Sequence, residues 1–127
     1  MAITKLAFVA QPTKDLEQAK AFYSLLGLEF KFAMPDMWGE FDCPDGKSIA
    51  LDAVTPKKSK EKVTTYLALE TDDIVAEVAR LKEAGVTVAA DVWENKDGDG
   101  NGVCKMAMIA DPDGNPIMLH EIDPRRA

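Results

Sequence analysis

Residues 111–122, Asp-Pro-Asp-Gly-Asn-Pro-Ile-Met-Leu-His-Glu-Ile, constrain this chain more than any other stretch. The first five are turn chemistry. Pro112 presets its φ, Asp113 and Asn115 can bond their own backbone, and Gly114 tolerates positive φ. The rest alternates, with Ile117 and Leu119 on one face and Met118 and His120 on the other. The stretch therefore predicts a tight turn feeding a strand. A weaker copy, Cys43-Pro44-Asp45-Gly46-Lys47-Ser48-Ile49-Ala50-Leu51-Asp52, lies 68 positions earlier with Pro, Asp, Gly, Ile and Leu in register. Self-similarity of this kind predicts a repeated architecture.

The remaining chain agrees. Ile3 to Ala10 reads as a strand ended by Gln11-Pro12. Asp15 is the expected N-cap of a helix, with Gln18 completing a capping box. Leu16, Ala19, Tyr23 and Leu26 form its apolar stripe, and Gly27 is its stop. Strands are expected at Leu28 to Ala33, Trp38 to Asp42 and Ser48 to Val54. After a charged run the order returns: a strand at Thr64 to Glu70, then a helix capped by Asp72 or Asp73. That helix carries Ile74, Val78 and Leu81 inward and stops at Gly85. A shift of 58 places Phe8 on Tyr66, Asp15 on Asp73 and Gly27 on Gly85. The turns need a shift of 68, so ten extra residues precede the second turn, most of them assigned to Asn95 to Gly102. The expectation is an α+β chain of two tandem βαβββ modules in one domain. Module 1 covers about 1–56, a linker 55–62, and module 2 about 63–123.

Composition narrows the partners. The 15 Lys and Arg against 22 Asp and Glu leave a net charge of −7. A polyanion such as nucleic acid, or an anionic membrane surface, would be repelled, whereas a neutral or cationic small molecule would not. The apolar patch at the start is too short for a signal or a span. With two cysteines and no CxxC, reduced thiols in the cytoplasm are expected, and Cys43 and Cys104 read as structural. Asp97, Asp99, Asn101 and Gly102 match the opening of an EF-hand calcium loop. Met108 stands where the bidentate Glu belongs, however, and a hairpin loop is the better account. There is no GxSxG and no phosphate-cradling glycine loop.

The paired modules, with Asp15-Leu16-x5-Phe22-Tyr23-x3-Gly27 and Asp111-Pro112-Asp113-Gly114-Asn115, resemble the vicinal oxygen chelate superfamily. This group includes glyoxalase I, bleomycin-resistance proteins, fosfomycin-resistance enzymes and extradiol dioxygenases. The resemblance covers nearly the whole chain and implies a curved mixed sheet, or half-barrel, around a concave site. Metal-dependent members carry ligands seven residues before each helix-capping Asp and four after each turn Gly. Here those positions are Phe8, Ala50, Tyr66 and Met118. Two aromatics, an Ala and a thioether are not ligands for a hard or borderline divalent ion. The resemblance therefore points to the metal-free, bleomycin-resistance-like branch, with no cofactor.

Phe8, Ala50, Tyr66 and Met118 make a lining suited to a planar molecule, or else they close the cavity as core. His120, the only histidine, shares a face with Met118 by strand period, and its copy in module 1 is Asp52. Glu70 lies four residues beyond Tyr66. Asp52, Glu70 and His120 are thus a candidate polar rim, with His120 the candidate catalytic residue. The leading expectation is a homodimeric binding protein for a small planar or cationic compound, of the drug-sequestering, antibiotic-resistance kind. The alternative is a glyoxalase-like lyase or isomerase using His120 with Asp52 or Glu70, with or without a displaced divalent metal. A regulatory module with a closed cavity is the third.

Overall fold

The computed structural model describes residues 3–55 and 63–126. Apart from Thr55, the expected linker lies outside the described residues. The elements are β1 (Ile3–Pro12), α1 (Leu16–Leu25), β2 (Glu29–Met34), β3 (Trp38–Asp42), β4 (Ser48–Asp52), β5 (Tyr66–Thr71), α2 (Ile74–Glu83), β6 (Thr87–Lys96), β7 (Gly102–Ala110) and β8 (Pro116–Ile122). The order β-α-β-β-β occurs twice, and the α+β class expected from the repeat is the observed one. Among the described residues no helix is long and apolar enough to cross a membrane.

The residues gather into two compact units. One holds residues 8–55 and 63–65; the other holds 3–7 and 66–126, so β1 contributes to both. In the first unit the strand order is β2-β3-β4-β1, antiparallel except for the parallel β4/β1 pair. In the second it is β5-β8-β7-β6, antiparallel except for the parallel β5/β8 pair. Each unit thus has the same mixed pattern, opened by a strand parallel to its last. β1 runs two residues further than expected because Gln11 and Pro12 pair with Leu51 and Asp52.

Three turns in these units share one backbone. At 111–115, Asp111 N donates to Asn115 O (3.0 Å) and Gly114 N to Asp111 O (3.0 Å). At 97–101 the same two bonds join Asp97, Asn101 and Gly100 (2.8 and 3.0 Å), and at 43–47 they join Cys43, Lys47 and Gly46 (2.8 and 2.9 Å). Gly46, Gly100 and Gly114 all have φ between 83° and 85°, the left-handed region that glycine enters without a Cβ penalty. In the two Asp-led turns the carboxylate tightens the loop. Asp111 Oδ1 accepts from Asp113 N (2.9 Å) and Asn115 N (2.8 Å), and Asp97 Oδ1 accepts from Asp99 N and Asn101 N (2.9 Å each). Asp97-Gly98-Asp99-Gly100-Asn101 is therefore a third copy of the turn motif. The ten extra residues consequently sit elsewhere than expected. Most of them lengthen the β6/β7 strands, which span ten and nine residues against six and five in β2/β3.

Each helix covers one face of its own sheet. Asp15 Oδ1 accepts from Gln18 N (3.0 Å), and Asp73 Oδ1 from Ala76 N (3.1 Å), so both caps form. The reciprocal half of the first capping box is replaced: Asp15 N donates to Thr13 Oγ1 (3.1 Å). In the first unit Leu16, Phe41, Leu51 and Ala53 form the core, with Ala19, Tyr23, Leu28 and Phe30 against them. Leu26, expected in that stripe, is exposed. In the second unit Ile74, Val78, Ala107, Ile109 and Leu119 form the core, flanked by Leu69, Leu81, Val88 and Ile117. The second helix is also tied at its first turn, where Ile74 N donates to Glu121 Oε1 (2.8 Å).

Two adjacent residues test which face of α2 is buried. Ile74→Ala should cost ~2–5 kcal/mol in denaturant unfolding, because its side chain is fully buried. Val75→Ala, on an exposed position one residue on, should stay within ~0.5 kcal/mol.

Candidate functional site

Period-two alternation decides what lies on the face away from α2. Leu69, Ala107, Ile109, Ile117 and Leu119 belong to the helix-side core, and Glu121 reaches the helix N-terminus. Tyr66, Ala68 and Glu70 of β5, Met118 and His120 of β8, and Cys104, Met106 and Met108 of β7 therefore face the other way. Strand register places Ala68 beside Met118, Glu70 beside His120, Met108 beside Met118 and Met106 beside His120. Tyr66, Glu70, Cys104, Met106, Met118 and His120 are all buried.

The centre of this face is a buried ionic pair. His120 Nδ1–H donates to Glu70 Oε1 at 2.6 Å, and Glu70 Oε2 accepts from Ile122 N at 2.8 Å. The carboxylate thus spends one oxygen on the backbone of β8 and the other on the imidazole that β8 carries. Burial pulls the imidazolium down, but its surroundings, Cys104 and the Glu70 carboxylate that its Nδ1–H meets, outweigh it, pushing the pKa from 6.5 up to about 9. Asn95 of β6 completes the cluster. Its Nδ2 donates to Cys104 Sγ (3.4 Å) and to Met106 Sδ (3.2 Å).

Of the candidate residues, the second unit brings together Tyr66, Glu70, Met118 and His120 on one face. The first unit holds Phe8, Ala50 and Asp52. Ala50 lies between Ala10 and Glu40 in the sheet, and Phe8 packs edge-to-face on Trp38 with centroids 5.5 Å apart. The Trp38 indole N–H donates to Glu40 Oε2 at 2.7 Å. Asp52 is buried but turned to its own chain: Oδ1 accepts from Val54 N (2.8 Å) and Thr55 N (2.9 Å), and Oδ2 from Thr55 Oγ1 (2.5 Å). Phe8, Ala50, Tyr66 and Met118 are each no more than 6% exposed. Two hydrocarbon side chains, a phenol and a thioether do not fit a hard or borderline divalent ion. Nor, among the described residues, do three or more His, Cys, Asp and Glu side chains gather to hold one.

Sequence reasoning passed over Cys104, Asn95 and Met106. The signal was present for two of them. The 111–115 turn pairs Ala110 with Pro116, and stepping outward brings Met106 opposite His120 and, two pairs beyond, Cys104 opposite Ile122. Asn95 does not follow from the 97–101 turn in this way, because a register shift between Asn95 and Lys96 sets it opposite Cys104 where simple stepping gives Val103. Two cavities lie away from the candidate lining. An open groove of about 400 Å³ runs beside α1, lined by Gln11, Gln18, Phe22, Tyr23 and Leu51 among others. A smaller cavity of about 130 Å³ is lined by Cys104, Glu94, Lys105, Glu121 and Asp123 together with Gly102 and Pro124.

Comparison with known proteins places this geometry in context. The family model described as the glyoxalase/bleomycin resistance protein/dioxygenase superfamily matches residues 5–119. No curated protein sequence matches the chain. Among solved structures, a glyoxalase/bleomycin resistance protein/dioxygenase superfamily member from Vibrio splendidus 12B01 is 18% identical, with a TM-score of 0.65 over 91% of this chain and 97% of that one. Methylmalonyl-CoA epimerase from Mycobacterium tuberculosis is 19% identical, with a TM-score of 0.64 over 98% of this chain and 92% of that one. The Mn(II)-bound glyoxalase from Novosphingobium aromaticivorans is 21% identical, with a TM-score of 0.61; the match covers 94% of this chain and 39% of the glyoxalase. These likenesses show a shared fold.

The charge on His120 is directly measurable because the chain has a single histidine. Its ring resonances should titrate near 9 in the folded protein rather than near 6.5. A folded value above the unfolded one means that protonation favours the fold. This contribution is whole below about 6.5 and is lost as pH rises through about 9. Wild-type stability should therefore fall across that window relative to His120→Gln, by on the order of a few kcal/mol. A midpoint near 6.5, or parallel pH profiles for the two proteins, would contradict the paired imidazolium.

Proposed function

This chain belongs to the glyoxalase/bleomycin resistance protein/dioxygenase superfamily, and we propose that within it the chain is a metal-free small-molecule binding protein. One observation carries the reading. The positions that the family resemblance gives to metal ligands hold Phe8, Ala50, Tyr66 and Met118, all buried on the helix-free faces of their sheets. With no chelate to hold a substrate's oxygens, recognition falls to apolar and aromatic surface. Tyr66 supplies a flat wall, and Met106, Met108 and Met118 supply side chains that reshape around a guest at little cost. The ligand class assigned is a small planar compound, neutral or cationic given the net charge of −7. Sequestration of a drug of that shape, as in bleomycin resistance, is the biological role this implies. Tyr66, Met118, His120 and Glu70 are the contact residues assigned in the second unit; Phe8 and Ala50 are the corresponding assignment for the first unit taken by itself. Asp52, its carboxylate turned to Val54 and Thr55, is assigned a supporting part.

A second reading has its own support. Glu70 fixes the His120 ring at one nitrogen while its other oxygen is anchored to Ile122 N, an arrangement suited to delivering a proton to a bound carbonyl compound. On that reading the chain is a lyase or isomerase of the glyoxalase kind, with His120 as acid and Glu70 orienting it.

The two readings separate on the same variants. A thermal-shift panel of planar aromatic and cationic compounds should yield a ligand that raises the melting point by mass action. Calorimetry on that ligand should show Tyr66→Ala losing more affinity than His120→Gln. The latter should cost no more than about 1 kcal/mol, one hydrogen bond's worth. If His120→Gln abolishes turnover of a carbonyl substrate by on the order of a hundredfold while the substrate still binds, the enzyme reading replaces the binding one.

Two further properties belong to this proposal. Elemental analysis should find no stoichiometric Zn, Ni, Mn or Fe; about one metal per chain that disappears in Met118→Ala would refute the metal-free assignment. The chain is also proposed to be a homodimer, on the exposed apolar run of Phe22, Leu25 and Leu26 on and just after α1. Light scattering at micromolar concentration should give twice the monomer mass, and a monomer alone would end that part.

A further inference from the structure

Within the first unit, the sheet face away from α1 carries an anion that the chain leaves without a counter-ion. Phe41 and Leu51 pack under α1, so by alternation Trp38 and Glu40 of β3 point the other way. A register shift between Phe30 and Phe32 sets Phe32 directly opposite Glu40, and on the other side of Glu40 the row continues through Ala50 to Ala10. The Trp38 indole N–H donates to Glu40 Oε2 at 2.7 Å, and Phe8 packs edge-to-face on that indole with centroids 5.5 Å apart. Glu40 is half-buried, yet among the described residues no Lys, Arg or His pairs with it, and Oε1 has no hydrogen-bond partner. No fully enclosed side-chain oxygen or nitrogen among those residues lacks a partner, so Oε1 is reachable from outside.

We propose that Phe8, Phe32, Trp38 and Glu40 form a binding site for the ammonium group of a small aromatic amine, with Glu40 as the residue that selects its charge. The inference rests on the small-molecule reading and narrows its ligand from neutral or cationic to cationic. A carboxylate withdrawn from water is disfavoured until an opposite charge or hydrogen bonds compensate it. The indole N–H satisfies one oxygen of Glu40. An N–H of the ligand ammonium satisfies the other, in a charge-assisted bond.

The rings add a second attraction for the same charge. A cation held against an aromatic face is drawn by the ring quadrupole, most strongly by that of Trp. Phe32 is the cross-strand partner of Glu40, which puts their Cβ atoms ~4.5–5.5 Å apart and a ring within reach of a cation on the carboxylate. A hard divalent ion does not suit this lining, since one carboxylate and three rings fall short of the about six oxygens such an ion takes. The net charge of −7 favours cations over the whole surface, whereas Glu40 acts at one place.

The test follows the Trp38 indole N–H in a proton–nitrogen correlation spectrum. The chain has two tryptophans, and Trp93→Phe identifies which of the two indole signals is Trp38. Benzylammonium, benzyl alcohol and benzoate, which share a phenyl ring and differ in charge, are titrated into the full chain at pH 7. Benzylammonium should shift the Trp38 signal at millimolar concentration or below and bind on the order of tenfold more tightly than benzyl alcohol, with benzoate the weakest. Glu40→Gln keeps an oxygen to accept from the indole and removes the charge. It should cost the ammonium on the order of tenfold in affinity and leave the alcohol within about twofold. An ammonium no tighter than the alcohol, an unmoved Trp38 signal, or an unchanged ammonium affinity in Glu40→Gln would overturn the proposal. Should Glu40→Gln lose its dispersed spectrum, Phe32→Leu decides in its place: a larger loss for the ammonium than for the alcohol supports the site, and equal losses refute it. A metal bound through Met118, or turnover lost with His120, would end the metal-free binding reading without moving these affinities. Equal binding of the three probes would end this inference and leave that reading standing.

Discussion

The register of β7 against β8 is the constraint on which the site depends, and a five-residue turn sets it. Asp111 Oδ1 gathers the amides of Asp113 and Asn115, closing the turn so that Ala110 meets Pro116. Side chains in a strand alternate, so a slip of one residue would exchange every inward and outward position. His120 would then face α2, and Glu121, which now holds Ile74 N, would point away from the helix it anchors. One carboxylate in an exposed loop thus determines both what packs under α2 and what is presented on the opposite face. Asp97 repeats the device for β6 against β7, where a register shift between Asn95 and Lys96 then brings Asn95 beside Cys104.

Against that framework the His120–Glu70 pair is energetically unusual. Both side chains are about 10% exposed, and each loses hydration that the pair must restore by mutual attraction and further hydrogen bonds. Removing one member would leave a buried charge at a cost of ~3–5 kcal/mol, whereas apolar side chains of the same volume are often neutral or better. Neighbours here are Tyr66, Ala68, Met106 and Met118, so an apolar pair would pack at this spot without difficulty. Stability alone therefore does not account for an imidazole and a carboxylate at this position. The raised His120 value fits the same picture: the site keeps a cation in place through neutral pH instead of switching it.

Much of the fold was legible in the residues. Asp15 and Asp73 cap their helices, Gly27 and Gly85 follow at φ near 85°, and the turn copies sit where the spacing put them, because each of these is local chemistry. The candidate site was legible only in part. Strand period put Met118 and His120 on one face, and the distance from Tyr66 put Glu70 near them. Which carboxylate would meet His120 depended on β5 lying parallel to β8, a long-range pairing that no local motif encodes. Asp52 illustrates the converse: it occupies the position equivalent to His120, but its short side chain accepts from Val54 and Thr55 of its own chain segment. Cys104, read from the sequence as structural, meets Asn95 on a neighbouring strand, and a sequence scan for adjacent partners cannot find such a contact.

The repeat also explains why only the second unit carries such a cluster. Register pairs Glu70 with His120 on one side and Pro12 with Asp52 on the other, so the acid's counterpart is a proline with nothing to ionise. Trp38 stands opposite Asp52 where Met106 stands opposite His120. Continuing outward from Trp38, the first unit runs out of strand. The position equivalent to Cys104 is Asp36, held at φ 62° in the bend between β2 and β3, and no strand residue there can present a side chain to the sheet face. Most of the ten additional residues of the second half lengthen β6 and β7 past that point, and Asn95 and Cys104 are both in the extension. A histidine placed at 52 would find no carboxylate at the paired position of the neighbouring strand. The insertion that first reads as an irregularity in the repeat is therefore what supplies the second unit with its own chemistry.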